Sequence, residues 1–357
     1  PIQIQPGVYR NGTELQQSGR WRDASLVRWR DGAMEPVGGW TEIADLTSGI
    51  YRGSIAWVDN SNLRWFATGS ADALKVMGEF GNVYDITPAG LTTGLVHATQ
   101  NTGFGGGAFG ADAYGGPRTP SANYEEATVW SMATWGENLL ACNASDGRIW
   151  EWTLDTGVVA AAVANAPVDN LAVIVTPERF VFALGAGGDV RTVQWSDRED
   201  NTTWTPAATN EAGSQTLEAV GQIMCAVSTK GQTLILTDHE VFAAEFQGQP
   251  YVYGFNKVGA NCGVASRGVV AETPSGAIWM GLQSFWAYSG GSVEAVPCDV
   301  SDYVFNDINR IQITKAFSVN NAAHDEIWWF YPSGASNEND RYVSYNHREK
   351  HWSIGEL

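Results

Sequence analysis

Leu139-Leu140-Ala141-Cys142-Asn143-Ala144-Ser145-Asp146-Gly147-Arg148-Ile149-Trp150-Glu151-Trp152 is a hairpin written out in sequence. Two short apolar runs, 139–142 and 148–152, flank Asp146-Gly147, a dipeptide that favours the left-handed turn between paired strands. The unit recurs. Aromatic residues that close strand-like runs stand at Tyr84, Trp150, Trp195, Phe242, Trp286 and Tyr345. The three gaps from Trp150 to Trp286 are about 45 residues each, the length of one four-stranded propeller blade. Strand-rich segments run through 51–88, 129–154, 171–204, 219–257, 264–296 and 311–352. The expectation is an all-β chain, a β-propeller of about six blades, with five or seven as the alternatives.

Composition agrees. Of 357 residues, 44% are hydrophobic, 40 are Gly and 16 are Trp, a mixture that suits pleated, half-buried strands joined by tight turns. The net charge of −18 repels nucleic-acid phosphates and anionic membranes, and self-repulsion keeps such a chain soluble before assembly. Residues 1–40 hold five Arg and four acids, a net +1, so the remainder carries −19. No run reaches the ~18 apolar residues of a membrane helix. Residues 1–9 lack the apolar core of a signal peptide. Cys142, Cys225, Cys262 and Cys298 are far apart with no C-x-x-C pair, and read as buried, reduced residues of a chain made in a reducing cytoplasm.

Three stretches depart from the rhythm. Residues 1–45 read as an N-terminal arm or hairpin ahead of a propeller spanning 46–357. The arm holds Trp21-Arg22-Asp23, Trp29-Arg30-Asp31 and a hairpin signal at Asp31-Gly32. Arg20, Trp21, Arg22, Arg28, Trp29 and Arg30 are candidate contacts for a neighbour in an assembly. The alternative packs the Trp rings in a hairpin core and pairs the Arg with local acids. Residues 97–124 form a Gly-rich insertion, in which Phe104, Phe109 and Tyr114 are candidate apolar contact tips or a gate. Residues 197–213 read as a linker between the third and fourth blades. Residues 301–310 are the best helical segment. The N-terminal segment is expected to supply a ring-closing strand for the last blade, unless the natural chain continues past Leu357.

Conventional catalytic patterns are missing. His347 and His351 are four apart, but on a strand-turn they do not share a face and read as a solvated turn. Asp59-Asn60-Ser61-Asn62 and Asn337-Glu338-Asn339-Asp340 lack the spacing of a Ca²⁺ loop and read as turns. No G-x-S-x-G or Walker pattern occurs. Ser196–Trp204 faintly matches the Asp-box of sialidases without its central Gly, and that box is itself a turn. Glycoside chemistry needs paired carboxylates, and 39 acids keep a carbohydrate-active propeller as an alternative. No metal, cofactor or catalytic residue is assigned.

The order of motifs resembles one family. Arg20–Asp23, Val27–Gly32 and Pro36–Trp40 are followed by Val83-Tyr84-Asp85-Ile86-Thr87-Pro88. Then come the Gly/aromatic stretch, Trp130–Leu140, Trp195-Ser196-Asp197 with Trp204-Thr205-Pro206, and Arg341–Asn346 with Trp352. Most of the chain is thus similar to propeller-containing bacteriophage tail proteins, above all the nozzle, or tail tubular protein B-like, type of short-tailed phages. The resemblance implies a non-enzymatic virion protein made in the host cytoplasm. It also implies a homo-oligomer, commonly a hexameric ring, docked on a portal adaptor protein and carrying spike or fibre proteins. Double-stranded DNA would pass through its lumen without specific binding, and no membrane would be engaged. A tail-tip or receptor-binding propeller is the alternative within the same class.

Overall fold

The computed structural model describes residues 4–42, 49–100 and 124–357. Six four-stranded antiparallel sheets follow one another along the chain, each a simple meander of consecutive strands. Blade 1 is Ser54–Val58, Arg64–Gly69, Leu74–Gly78 and Val83–Asp85. Blade 2 is Trp130–Trp135, Asn138–Asn143, Ile149–Trp152 and Ala161–Ala162. Blade 3 is Ala172–Val175, Val181–Leu184, Thr192–Trp195 and Gly213–Thr216. Blade 4 is Ile223–Thr229, Gln232–Thr237, Glu240–Gly248 and Val252–Ala260. Blade 5 is Val270–Thr273, Gly276–Met280, Phe285–Ser289 and Ser292–Val296. Blade 6 is Phe317–Asn321, Glu326–Tyr331, Arg341–Asn346 and His351–Glu356. The first strands of successive blades, from blade 1 to blade 6, lie side by side around the axis, so the fold is a six-bladed β-propeller.

Second strands explain the core. Their side chains alternate between the two neighbouring blades, as strand geometry requires. Leu139 and Ala141 pack toward blade 1, Leu140 and Cys142 toward blade 3. Val181 and Ala183 face blade 2, Phe182 and Leu184 face blade 4. Ile235 faces blade 3, and Leu234 and Leu236 face blade 5. Buried on both faces, these strands carry unbroken apolar runs. Several large buried indoles donate to the segment that precedes their own or the neighbouring blade: Trp279 Nε1 donates to Cys262 O at 2.9 Å and Trp329 Nε1 to Val269 O at 2.8 Å.

Three expectations need correction. The segment 197–213 lies inside blade 3, before its fourth strand Gly213–Thr216. His351 is no part of a solvated turn: its side chain is buried under Trp29, ring centroids 5.9 Å apart, and burial pushes its pKa down. Among the described residues the N-terminal segment adds no strand to blade 6, whose four strands all come from 317–356. It touches the outer edge through one backbone bond, Val8 N to Trp352 O, 2.8 Å. The expected helix is present as a short turn, Ser301–Phe305.

Candidate functional site: an axial ribbon and a docked arm

The arm is folded onto its own propeller. Val27–Arg30 pairs with Ala33–Pro36 through a two-residue turn in which Asp31 (φ 51) and Gly32 (φ 79) both adopt the left-handed conformation, as the Asp-Gly signal requires. Trp29 is 2% exposed and joins the core of blades 4–6. Trp21 packs beside it at 6.4 Å. Arg20 pairs with Asp299 at 3.1 Å and Arg28 with Glu326 at 3.3 Å, both partners far along the chain. Arg22 pairs locally with Glu14 at 2.9 Å. Arg30 is exposed. Beyond the hairpin, Val37 and Trp40 cover Trp328, Phe330 and Tyr342 on the free face of blade 6. The six arm residues are thus brought together, and five of them make contacts within this chain.

The second feature sits at the axis. After blade 1 the chain enters a two-stranded ribbon, Thr99–Gln100 with Tyr124–Glu125. Glu126 follows it, shortly before blade 2, and Arg267 leads into blade 5. Their ion pair is 3.1 Å long. In a six-membered ring blades 2 and 5 stand opposite each other, so this contact spans the axis. Arg267 also donates to Met224 O at 2.9 Å, where the inner strand of blade 4 begins. Gln312, ahead of blade 6, exchanges two hydrogen bonds with the Ala98 backbone, at 3.0 and 2.8 Å. Tyr124 donates to Ile311 O at 3.1 Å. The ribbon is therefore held from blades 2, 4, 5 and 6 at one end of the channel.

Beside the ribbon, Glu338 ties blade 6 to blade 1. Arg52 Nη2 lies 2.8 and 3.0 Å from its two oxygens and Lys315 Nζ lies 3.1 Å away. Lys315 also contacts His97 Nδ1 at 2.7 Å. Burial pushes the Lys315 amine down. For Glu338 burial pushes upward, but the bonds from Arg52 and Lys315 prevail and hold its carboxyl below the ordinary range.

Sequence reasoning missed Arg267, Glu126, Lys315 and Glu338 in these roles, because partners separated by 23, 141 or 286 residues leave no local signal. Phe104, Phe109 and Tyr114 lie outside the described residues. The Asp-box-like stretch is a closed turn: Asp197 N bonds Thr203 O at 2.7 Å and Trp204 is 1% exposed. Asp59 likewise accepts from Ser61 N, Leu63 N and Trp65 Nε1 within its own turn. Burial pushes the thiols of Cys142 and Cys225 up to about 12 and that of Cys262 up to about 11, so they stay protonated at neutral pH. No group of three His, Cys, Asp or Glu among the described residues is placed to hold a metal. No helix among them is long and apolar enough to cross a membrane.

No family model matches the chain, and no curated protein matches it. Solved structures do. Virginiamycin B lyase from Staphylococcus aureus superimposes with a TM-score of 0.50 at 6% identity, covering 85% of this chain and 82% of the lyase. A streptogramin B lyase gives 0.51 at 7%, covering 86% and 83%. The β-propeller domain of Swd1 (Cps50) from Myceliophteria thermophila gives 0.49 at 11% identity, covering 87% and 86%. At such identities the likeness to the two lyases is one of fold alone.

Proposed function

We propose that this chain is a non-enzymatic structural protein of a bacteriophage tail, similar in role to the nozzle. Copies assemble into a ring, hexameric by the resemblance, that docks on the portal adaptor, carries spikes or fibres and lets DNA pass. The observation that carries this reading is the occupied axis. The mouth where six inner strands converge, the natural concave site of a propeller, is crossed by the chain's own ribbon and its Arg267–Glu126 pair. The ordered motifs from Arg20 to Trp352 support it. So does the charge of −18 per copy, which disfavours retention of a passing polyanion.

The test is solution mass and negative-stain imaging of the purified protein, alone and with tail particles lacking it. Discrete rings, or ring density restored below the adaptor, are expected. A monomer that neither forms rings nor adds to such particles, and that cleaves host-surface glycans, would overturn the proposal in favour of a carbohydrate-active propeller.

A further inference from the structure

We propose that a cleft on the propeller rim, between blades 3 and 4, binds a neutral oligosaccharide. The third and fourth strands of blade 4, Glu240–Gly248 and Val252–Ala260, are nine residues each, longer than those of any other blade. Residues of their hairpin and of the outer strand of blade 3, Gly213–Thr216, line the same cleft. Between them lies a cleft of about 500 Å³, within the roughly 300–1,000 Å³ usual for small-molecule sites.

The lining has two parts. Phe242, Tyr253 and Leu217 form a buried apolar floor, and Phe255 is half-buried. Tyr253 and Phe255 belong to an aromatic cluster with Phe180, Phe182, Trp195 and Phe246, so these walls are fixed before any ligand arrives. Tyr251, 76% exposed, stands at the hairpin tip. The rim is polar, with Gln215, Gln247 and Glu218. Gly254 matters to this rim, because a Cβ there would collide with the Gln247 side-chain amide. The missing side chain lets that amide lie across the strand.

Charge selects among ligands. Among the described residues the one cation of the lining, Lys257, is engaged: its Nζ lies 2.7 Å from Glu240 Oε1 and 5.5 Å from the Phe242 ring centroid. Glu218 makes no ion pair among the described residues, so its carboxylate is free to accept hydrogen bonds. A polyanion therefore meets an uncompensated acid and a neutralised amine. A pyranose uses every part of the cleft. Its C–H face stacks on an aromatic ring, and its hydroxyls meet amides that both donate and accept.

The experiment is saturation-transfer NMR of the intact protein with millimolar maltotriose, cellotriose and chitotriose. At least one sugar receives saturation, through its C–H face. Tyr251→Ala and Glu218→Gln each weaken that binding about tenfold, in line with a stacking or hydrogen-bond contribution of roughly 1–1.5 kcal/mol. Both side chains are exposed, so thermal unfolding monitored by circular dichroism stays at the parent midpoint. No transfer to any of the three sugars overturns the proposal. So does equal binding by both variants, or displacement of the neutral sugar by dextran sulfate.

Discussion

Replacing Arg267 by Met tests whether the ribbon is locked across the axis. Methionine keeps much of the aliphatic stem and removes the guanidinium, which donates to Glu126 at 3.1 Å and to Met224 O at 2.9 Å. The Arg267 side chain is 7% exposed and that of Glu126 25%, so the pair lies between two regimes. One-sided removal from a fully buried pair costs about 3–5 kcal/mol, whereas an exposed pair is worth about 0–1. Glu126 regains some water when its partner goes, while the Met224 carbonyl sits in a residue that is 4% exposed and loses a charged donor. The expected loss is about 3 kcal/mol. With an unfolding entropy of roughly 2.1 cal/mol/K per residue over 357 residues, the midpoint falls by about 4 °C in scanning calorimetry. Glu126→Gln costs about 1 kcal/mol, and the double variant shows about 1–2 kcal/mol of coupling. Hydrogen exchange locates the effect. Gly94 N, bonded to Ala71 O, and Thr128 N, bonded to Leu95 O, exchange faster in Arg267→Met, while the outer strands of blade 3 do not change. A midpoint within a degree of the parent, or strictly additive single effects, refutes the axial lock.

Two more outcomes follow from the geometry. The folded-state pKa of Glu338 lies below its unfolded value, so its stabilisation is complete above the usual glutamate range and disappears as pH falls through the folded pKa. Glu338→Gln therefore lowers stability at about pH 7, and denaturant titrations show the gap to the parent closing as pH falls below the usual glutamate range; a gap independent of pH excludes the seam carboxylate as its source. Gly53 and Gly32 separate backbone strain from crowding. Both have positive φ, +98 and +79, but a Cβ at Gly53 would collide with the Trp130 carbonyl oxygen whereas Gly32 faces open space. Gly32→Ala should cost about 1 kcal/mol and Gly53→Ala at least 2–3, and equal shifts in denaturant midpoint would remove the close approach from the account.

The repeat was legible in the sequence because burial on both faces leaves an apolar run that no turn interrupts. Leu139–Cys142, Val181–Leu184 and Leu234–Leu236 are the cases that gave it away. Five of the six aromatic anchors, Trp150, Trp195, Phe242, Trp286 and Tyr345, do lie on third strands. Tyr84 lies on the fourth strand of blade 1, paired with Val76 on the third. Outer strands were hard to read because they need little apolar content. Gly213–Thr216 carries three exposed residues of four, and its polarity left it outside the strand-rich segment 171–204. The ion pairs at the axis and the seam were invisible, since charged residues mark a surface by default and only the ring brings Arg52 to Glu338.

These long-range ties answer a problem set by the topology. Each sheet is built from consecutive strands, so the ring has no blade shared between its two ends to hold the last against the first. A contact that joins distant parts of the chain must offset loop-closure entropy, which grows only slowly with loop length, and a few well-buried groups suffice. The arm supplies some of them: Trp29 enters the core of blades 4–6, Leu26 N bonds Tyr342 Oη at 3.0 Å, and Trp40 packs edge-on against Trp328, Phe330 and Tyr342. Arg52 and Glu338 supply another, directly across the seam. Two of the four arm arginines that suggested a docking surface, Arg20 and Arg28, are engaged in this closure. Among the described residues, Arg22 and Arg30 of the arm and Tyr251 at the rim cleft stay exposed, and the proposed assembly would dock on such residues.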